Sequence, residues 1–282
     1  MFEKVNPEHP DKVADRIAGA IVDLAYSLAY SKEENPKIAV EVLIGHGQCS
    51  IIVETSTDIK NNEITNIVGR IAGYHKCYIN VVPQDPFLSK NQEGRIRCGD
   101  NGIFKGVPTS QEENKMAKIA GEIFRKYPTD GKYIISEIDK ELIICQSNCK
   151  DTFDKYKNEY KVIVNPLGEW VGGLNSDSGC TNRKLGSDMG RAVTGGGLIG
   201  KDLSKADVSV NIYCHLMAQK TNREVLAFCA IGDEKVKVFI DHQEKKADYK
   251  EIEVNYEDIV KVAKDYVEQI GGFEKLAEWG LI

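Results

Sequence analysis

Apolar residues recur at Val13, Ile17, Ile21, Leu24 and Leu28, the one-face spacing of an amphipathic helix. Pro10 and Asp11 suit its first turn. Two β-rich runs, 37–44 and 50–57, flank Gly45-His46-Gly47 and predict a hairpin. Helical spacing returns over 62–75 through Ile64, Ile67, Val68 and Ile71, and 77–82 reads as a strand closed by Pro83. Residues 84–109 show no period and hold Gly, Asn, Asp and Gln. That predicts a long loop, and such loops in compact domains often act as lids.

The second half alternates in the same way. Met116, Ile119, Ile123 and Phe124 predict a helix over 112–127, and strands follow at 132–136, 141–146 and 161–164. A helix is expected over 204–220, strands over 225–231, 236–240 and 250–254, and an amphipathic helix over 256–270 through Ile259, Val262, Ala263 and Tyr266. A last short helix ends at Trp279. Strands pairing mostly with sequence neighbours, interleaved with helices, predict an α+β layered fold.

The totals narrow this little. With 282 residues, 41% hydrophobic and 28% charged, the chain has an ordinary globular composition. A net charge of −6 argues against general attraction to nucleic acid or acidic membranes. Eight cysteines without a CxxC pair point to reduced thiols rather than a disulfide framework or structural zinc. No signal peptide or membrane-length apolar run is seen, so a cytoplasmic location is expected.

One stretch, 165–207, departs from this ordinary background. It holds ten glycines, the bases Arg183, Lys184, Arg191, Lys201 and Lys205, and the acids Asp177, Asp188, Asp202 and Asp207. Glycine lets backbone amides turn toward a ligand, Arg and Lys add fixed positive charge, and Asp can hold a divalent cation. Together they suit a polyphosphate carried with magnesium. Paired charges of both signs and an indole, Trp170, argue against a flexible linker. The run GGGLIGK ending at Lys201 fits the P-loop spacing, but Asp202 stands where that motif needs a hydroxyl, and 191–194 is too short and polar for the buried strand before it.

Several positions remain open on local sequence. His9-Pro10-Asp11-Lys12 is a polar cluster at a helix start, where a capping role for His9 or Asp11 is the simpler expectation. Arg183 and Lys184 could grip two phosphate groups or form a solvated basic pair. Glu41 and Glu54 sit mid-strand, on a wet face or turned to a cation, with the wet face favoured. Trp170 is either a stacking surface for a purine or a core anchor.

These clusters resemble the motifs of the S-adenosylmethionine synthetase (methionine adenosyltransferase) family. His9-Pro10-Asp11-Lys12-Val13-Ala14-Asp15 is similar to GHPDKxAD. Asn165-Pro166 through Gly173 resembles NPxGxFVxGG, with Trp170 as the aromatic. Asp177 through Lys184 resembles GDxGLTGRK, and Gly195 through Asp207 resembles GGGAFSGKDPSKVD. The resemblance departs in places. Glu8 and Asn182 stand where the family has glycine, and the loop after Gly197 is one residue shorter. The chain is also shorter than a typical member, between Asp100 and Asn165 and at its C-terminal end.

The resemblance implies an enzyme in which methionine sulfur attacks C5′ of ATP, the triphosphate leaves, and it is hydrolysed to diphosphate and phosphate. It assigns His9 to the leaving oxygen, and Arg183, Lys184, Lys201 and Lys132 to the triphosphate, with Gly197 among the cradling amides. Trp170 would stack on adenine. Glu54, Gln84 and Asp100 match positions around methionine, Asp100 reaching the nucleotide as well, and Asp177 lies near ribose and methionine. Asp11 and Asp207 would bind two magnesium ions per site, Glu41 potassium, and Glu3 is an acid near the potassium or adenosine side.

The fold it implies is three similar sheet-plus-helix domains about a pseudo-threefold axis, built from discontinuous segments. These are 1–7 with 110–174, 8–93 with 175–210, and 94–109 with 211–282. It further implies a homodimer or dimer of dimers with interfacial sites, 84–109 as the mobile loop, and no nucleic-acid or membrane partner. The alternatives are a related ATP triphosphatase, an adenosyltransferase for another thioether, or a non-catalytic binding subunit.

Overall fold

The protein is described by a computed structural model over residues 1–30, 35–241 and 249–282. Strand β1 (Phe2–Val5) leads through a turn into helix α1 (Pro10–Tyr30). Proline is accommodated at the first helical position because that N–H has no partner within a helix. Strands β2 (Ile38–Gly45) and β3 (Gln48–Thr55) form the expected hairpin, with His46 and Gly47 at φ of 50° and 75° in the turn. Helix α2 (Asn61–Ala72) then crosses over to β4 (Lys76–Pro83), which lies parallel to β3.

The span 84–109 is not the unbroken loop expected from its lack of period. It carries helix α3 (Pro86–Asn91) and strand β5 (Gly102–Gly106). Asp85 starts α3 by accepting the amides of Phe87 at 2.9 Å and Leu88 at 3.0 Å, with Pro86 at the first position. Helix α4 (Gln111–Lys126) opens on a reciprocal cap between Ser110 and Glu113. It precedes β6 (Gly131–Ser136), β7 (Glu141–Gln146) and β8 (Lys161–Val164). The glycine-rich stretch holds only the two-residue β9 (Gly179–Cys180) and the short α5 (Leu185–Met189). Helix α6 (Ala206–Thr221), strands β10 (Val225–Cys229), β11 (Lys235–Asp241) and β12 (Tyr249–Asn255), and helices α7 (Tyr256–Ile270) and α8 (Phe273–Trp279) complete the chain.

The described strands make three four-stranded sheets, in the orders β1-β6-β7-β8, β4-β3-β2-β9 and β12-β11-β10-β5. With helices packed on them this is the expected α+β architecture. Most neighbours in a sheet are neighbours in sequence, but β1–β6, β2–β9 and β5–β10 join distant segments. Strands β1 and β9 have too few alternations to stand out in the sequence, and each is placed by a partner far along the chain.

Helix α4 covers the first sheet through Met116, Ile119 and Ile123 against Tyr133, Ile135, Leu142 and Ile144. The other two sheets share one continuous core with α1 and α6. Helix α6 buries every residue from Ala206 to Cys214. Two of its polar side chains find partners within the fold: Ser209 Oγ lies 3.1 Å from the Tyr256 hydroxyl, and Asn211 Nδ2 donates to the Asp207 carbonyl at 2.6 Å, while Asn211 Oδ1 is buried without a partner. No described helix is long and apolar enough to cross a membrane.

Candidate active site

The site grows from the start of α1. The Val13 amide donates to the His9 carbonyl at 2.9 Å, so His9 sits at the cap of the helix. Its Nδ1 accepts the Asp11 amide at 3.2 Å. Nδ1 is thus an acceptor, which places the ring proton on Nε2. Burial, then the nearby Lys184 charge, lowers the imidazole to about 4, so it is neutral at physiological pH. Capping and chemistry are compatible here: one ring nitrogen holds the helix and the other carries a proton to donate.

Asp11 follows on the first turn with its side chain almost wholly buried. Its Oδ1 accepts the Cys180 amide and Arg183 Nε, both at 2.9 Å, and its Oδ2 accepts Lys184 Nζ at 2.6 Å. Burial alone would raise this carboxyl, but the Lys184 and Cys180 hydrogen bonds outweigh it and hold it below its ordinary value. Strand β9 approaches the helix start closely enough that a Cβ on Gly179 would lie 1.8 Å from the Pro10 carbonyl oxygen. Only glycine lets the two backbones meet there, which explains why the basic turn lands on Asp11. Lys132, on β6, pairs with Glu3 at 3.1 Å, and its charge reaches His9. Asp177 also acts on His9 and is otherwise exposed, its Oδ1 accepting the Ser178 amide at 2.7 Å.

The second wing is the 195–207 segment. Its end is stitched to β2: the Val40 amide donates to the Gly200 carbonyl at 2.7 Å, and the Asp202 amide to the Ile38 carbonyl at 3.0 Å. Lys201 donates to Asp207, the second residue of α6. Gly196, at φ 81°, lies so close that a Cβ there would meet Asp207 Oδ1 at 2.0 Å. No buried strand precedes the glycines, so this is not a P-loop. Asn182 joins the wings, its side-chain amide bonded to both backbone groups of Ile199.

Known proteins resemble this chain in sequence and in fold. The S-adenosylmethionine synthetase N-terminal domain matches residues 1–82. An S-adenosylmethionine synthase of Mycoplasma mycoides is 29% identical over 280 residues, covering 77% of this chain and 71% of that protein. One from Helicobacter pylori strain Shi470 is 28% identical over 270 residues, covering 73% and 69%. Over most of its length the chain is similar to S-adenosylmethionine synthetases. The fold agrees with a solved structure described as an unusual S-adenosylmethionine synthetase from Campylobacter jejuni. That likeness has a TM-score of 0.72 and 18% identity, and covers 100% of this chain and 94% of that one.

The remaining expected residues divide into two groups. Trp170 belongs with the site region: its Nε1 donates to Asn165 Oδ1 at 3.1 Å and its ring lies over Gly172, leaving it half-buried. One edge is therefore anchored, as the core reading required, while part of the indole stays open for stacking. Asp130 beside it was not singled out from sequence. Burial pushes it up to about 6, against the Gly173 amide that donates to it at 2.8 Å.

The second group is not gathered here. Glu41 and Glu54 point outward from β2 and β3, on the exposed face expected for mid-strand acids, and Glu41 accepts the Thr181 hydroxyl. Asp100 is exposed and accepts the Asn101 amide at 2.7 Å. Gln84 is buried with neither side-chain polar atom partnered. Glu54, Gln84 and Asp100 make no hydrogen bond with the His9–Asp207 group.

A buried charge network underlies the site. Lys12 Nζ reaches Asp15 Oδ2 at 3.0 Å and Asp188 Oδ1 at 2.7 Å, and Asp15 Oδ1 accepts the Asn182 amide at 2.8 Å. Burial pushes Asp15 up to about 6, against the opposing pull of Lys12. Asp15 lies one helical turn after Asp11, a spacing visible in sequence. Asp188 stood among the acids of 165–207, but nothing local tied it to Lys12.

Proposed function

We propose that the chain synthesises S-adenosylmethionine from ATP and methionine, and that the His9–Asp207 group holds the triphosphate end of ATP. The observation that carries this is the clasp at the start of α1. One buried carboxylate, Asp11, gathers Arg183 and Lys184 beside a neutral histidine whose Nε2–H is free to donate.

The chemistry fits those groups. Methionine sulfur forms a bond to C5′ as the C5′–oxygen bond breaks, and the bonding pair leaves with the triphosphate. His9 Nε2–H donates a hydrogen bond to that oxygen as its charge grows. Arg183, Lys184, Lys132 and Lys201 oppose the accumulating negative charge, each worth roughly 4 kcal/mol at ~4 Å and an effective dielectric near 20. In the structure these cations pair with Asp11, Glu3 and Asp207. Triphosphate takes over the cations and frees the two aspartates.

Asp11 and Asp207 would hold magnesium, which supplies further charge neutralisation when bound. Among the described residues no group of three or more His, Cys, Asp or Glu forms a metal cage. That suits a cation that takes one or two carboxylates and draws its other ligands from phosphate and water. Glu41 is proposed at a potassium position. The division into 1–7 with 110–174, 8–93 with 175–210, and 94–109 with 211–282 is proposed, supported by each part contributing one of the three sheets. The acids missing from the cluster are proposed to complete the site across a homodimer.

The test is incubation with ATP, magnesium and methionine and detection of S-adenosylmethionine by mass. Lys201→Ala or Asp207→Ala abolishes turnover with the circular dichroism spectrum unchanged, and EDTA abolishes it in the wild type. Near-normal turnover in either variant overturns the site assignment. Triphosphate release without sulfonium formation favours a triphosphatase instead.

A further inference from the structure

Asn182 holds a left-handed backbone conformation, φ 59°. Its own amide is fixed by Asp15 Oδ1 at 2.8 Å. Its side chain makes two bonds to a single residue of the glycine-rich loop: Oδ1 accepts the Ile199 amide at 2.9 Å, and Nδ2 donates to the Ile199 carbonyl at 3.0 Å. This pairing uses one donor and one acceptor, so only a primary amide of this length satisfies both ends. The loop also packs directly on it, since a Cβ on Gly197 would lie 2.5 Å from Asn182 Cγ. Asn182 precedes Arg183, and Ile199 lies two residues before Lys201. The clip therefore ties the basic turn to the loop that carries the other phosphate-directed cation.

We infer that Asn182 is a positioning residue that, by clipping Ile199, sets the spacing between Arg183 and Lys201 and so preorganises the grip on the triphosphate. This rests on the functional reading above. Four glycines in the 195–200 stretch give that loop wide backbone freedom. Without a clip, binding must first order it, and that ordering cost is subtracted from affinity. A side chain at the junction makes the ordering part of folding instead.

Asn182→Gly tests this cleanly, because glycine keeps the left-handed backbone without strain and removes only the side chain. The full chain is compared with wild type by three measurements. These are hydrogen exchange at the Ile199 amide, calorimetric affinity for inorganic tripolyphosphate with magnesium, and the separate KM values for ATP and methionine. In the variant the Ile199 amide exchanges at least about tenfold faster, and tripolyphosphate binds about tenfold more weakly, ~1.4 kcal/mol. KM for ATP rises, KM for methionine holds, and the melting temperature moves by no more than a few degrees.

Unchanged exchange at Ile199 overturns the clip. Faster exchange with unaltered tripolyphosphate affinity overturns its role in the grip, as does an equal loss for methionine and tripolyphosphate. Wild-type protein that binds no tripolyphosphate sinks the functional reading instead, and exchange at Ile199 still decides whether the clip exists.

Discussion

At the scale of single residues, His9 caps α1 with one ring nitrogen and is proposed to donate to the leaving oxygen with the other, and two substitutions separate these tasks. His9→Asn places an amide oxygen near the position of Nδ1 and preserves the cap on the Asp11 amide, but removes the distal N–H. Turnover is expected to fall about 10²–10³-fold, the cost of losing one transition-state donor, with little change in melting temperature. His9→Gln places a donor near Nε2 and loses the cap, so it retains more turnover and melts lower. Steady-state kinetics and thermal melts on the pair decide it; if both variants lose turnover and stability alike, the two tasks are not separable.

A second histidine makes a pH prediction. Burial lowers His215 to about 4, against a smaller opposing pull from Glu113. The folded state therefore binds no proton there between about 4 and 6.5, while the unfolded state does. Its contribution to stability is complete above pH 6.5 and is lost as pH falls toward 4. His215→Gln has no such titration. The stability of wild type relative to this variant should decline by about 3 kcal/mol between pH 7 and pH 4. Urea denaturation at several pH values measures it, and a flat difference rules it out.

At the scale of elements, legibility followed length. Helix α1, the β2–β3 hairpin, and helices α2, α4 and α7 were readable because each repeats its period several times within one segment. Strands β1, β5 and β9 and helix α5 were not, because each is short and gains its place from a distant partner. The site was divided in the same way. The composition of 165–207 suggested the proposed polyphosphate grip, and the motif resemblance its proposed members, but neither showed how Arg183 and Lys184 reach Asp11. That depends on β9 seating against α1 at Gly179, a close approach that leaves no periodic signal.

Gly179→Ala tests this seating. Its methyl group would collide with the Pro10 carbonyl, which is backbone inside a rigid helix start and cannot step aside. Displacing β9 costs about 2–3 kcal/mol and pulls the Cys180 amide and Arg183 away from Asp11, so turnover falls more than tenfold. Gly186→Ala is the control, since a Cβ there meets nothing within 4 Å. It should leave both stability and turnover near wild type, and equal losses in the two variants would remove the argument for β9.

At the scale of the whole molecule, the sheet β4-β3-β2-β9 turns one face to the core and presents the other to solvent. That open face carries Leu43, Ile52 and Tyr78, which are 53%, 50% and 48% exposed. Strand register sets Ile52 directly opposite Glu41 and Ser50 opposite both Leu43 and Tyr78, so the apolar residues and the acid form one patch. Glu54 is on the same face, two residues along β3 from Ile52. A patch of large apolar side chains around exposed carboxylates is poorly suited to water and well suited to a partner surface. This is the face the proposed homodimer would cover, and it would account for acids that find no place in the single-chain cluster. Replacing both Leu43 and Ile52 by lysine leaves the buried face of the sheet untouched, so the chain still folds. By sedimentation equilibrium the wild type should have twice the 31.4 kDa chain mass and the double variant the chain mass itself. Because the site is then incomplete, turnover should fall at least a hundredfold while affinity for tripolyphosphate, held by one chain's own Arg183, Lys184 and Lys201, falls far less. A wild type that sediments as a single chain and turns over fully would show that one chain carries the entire site.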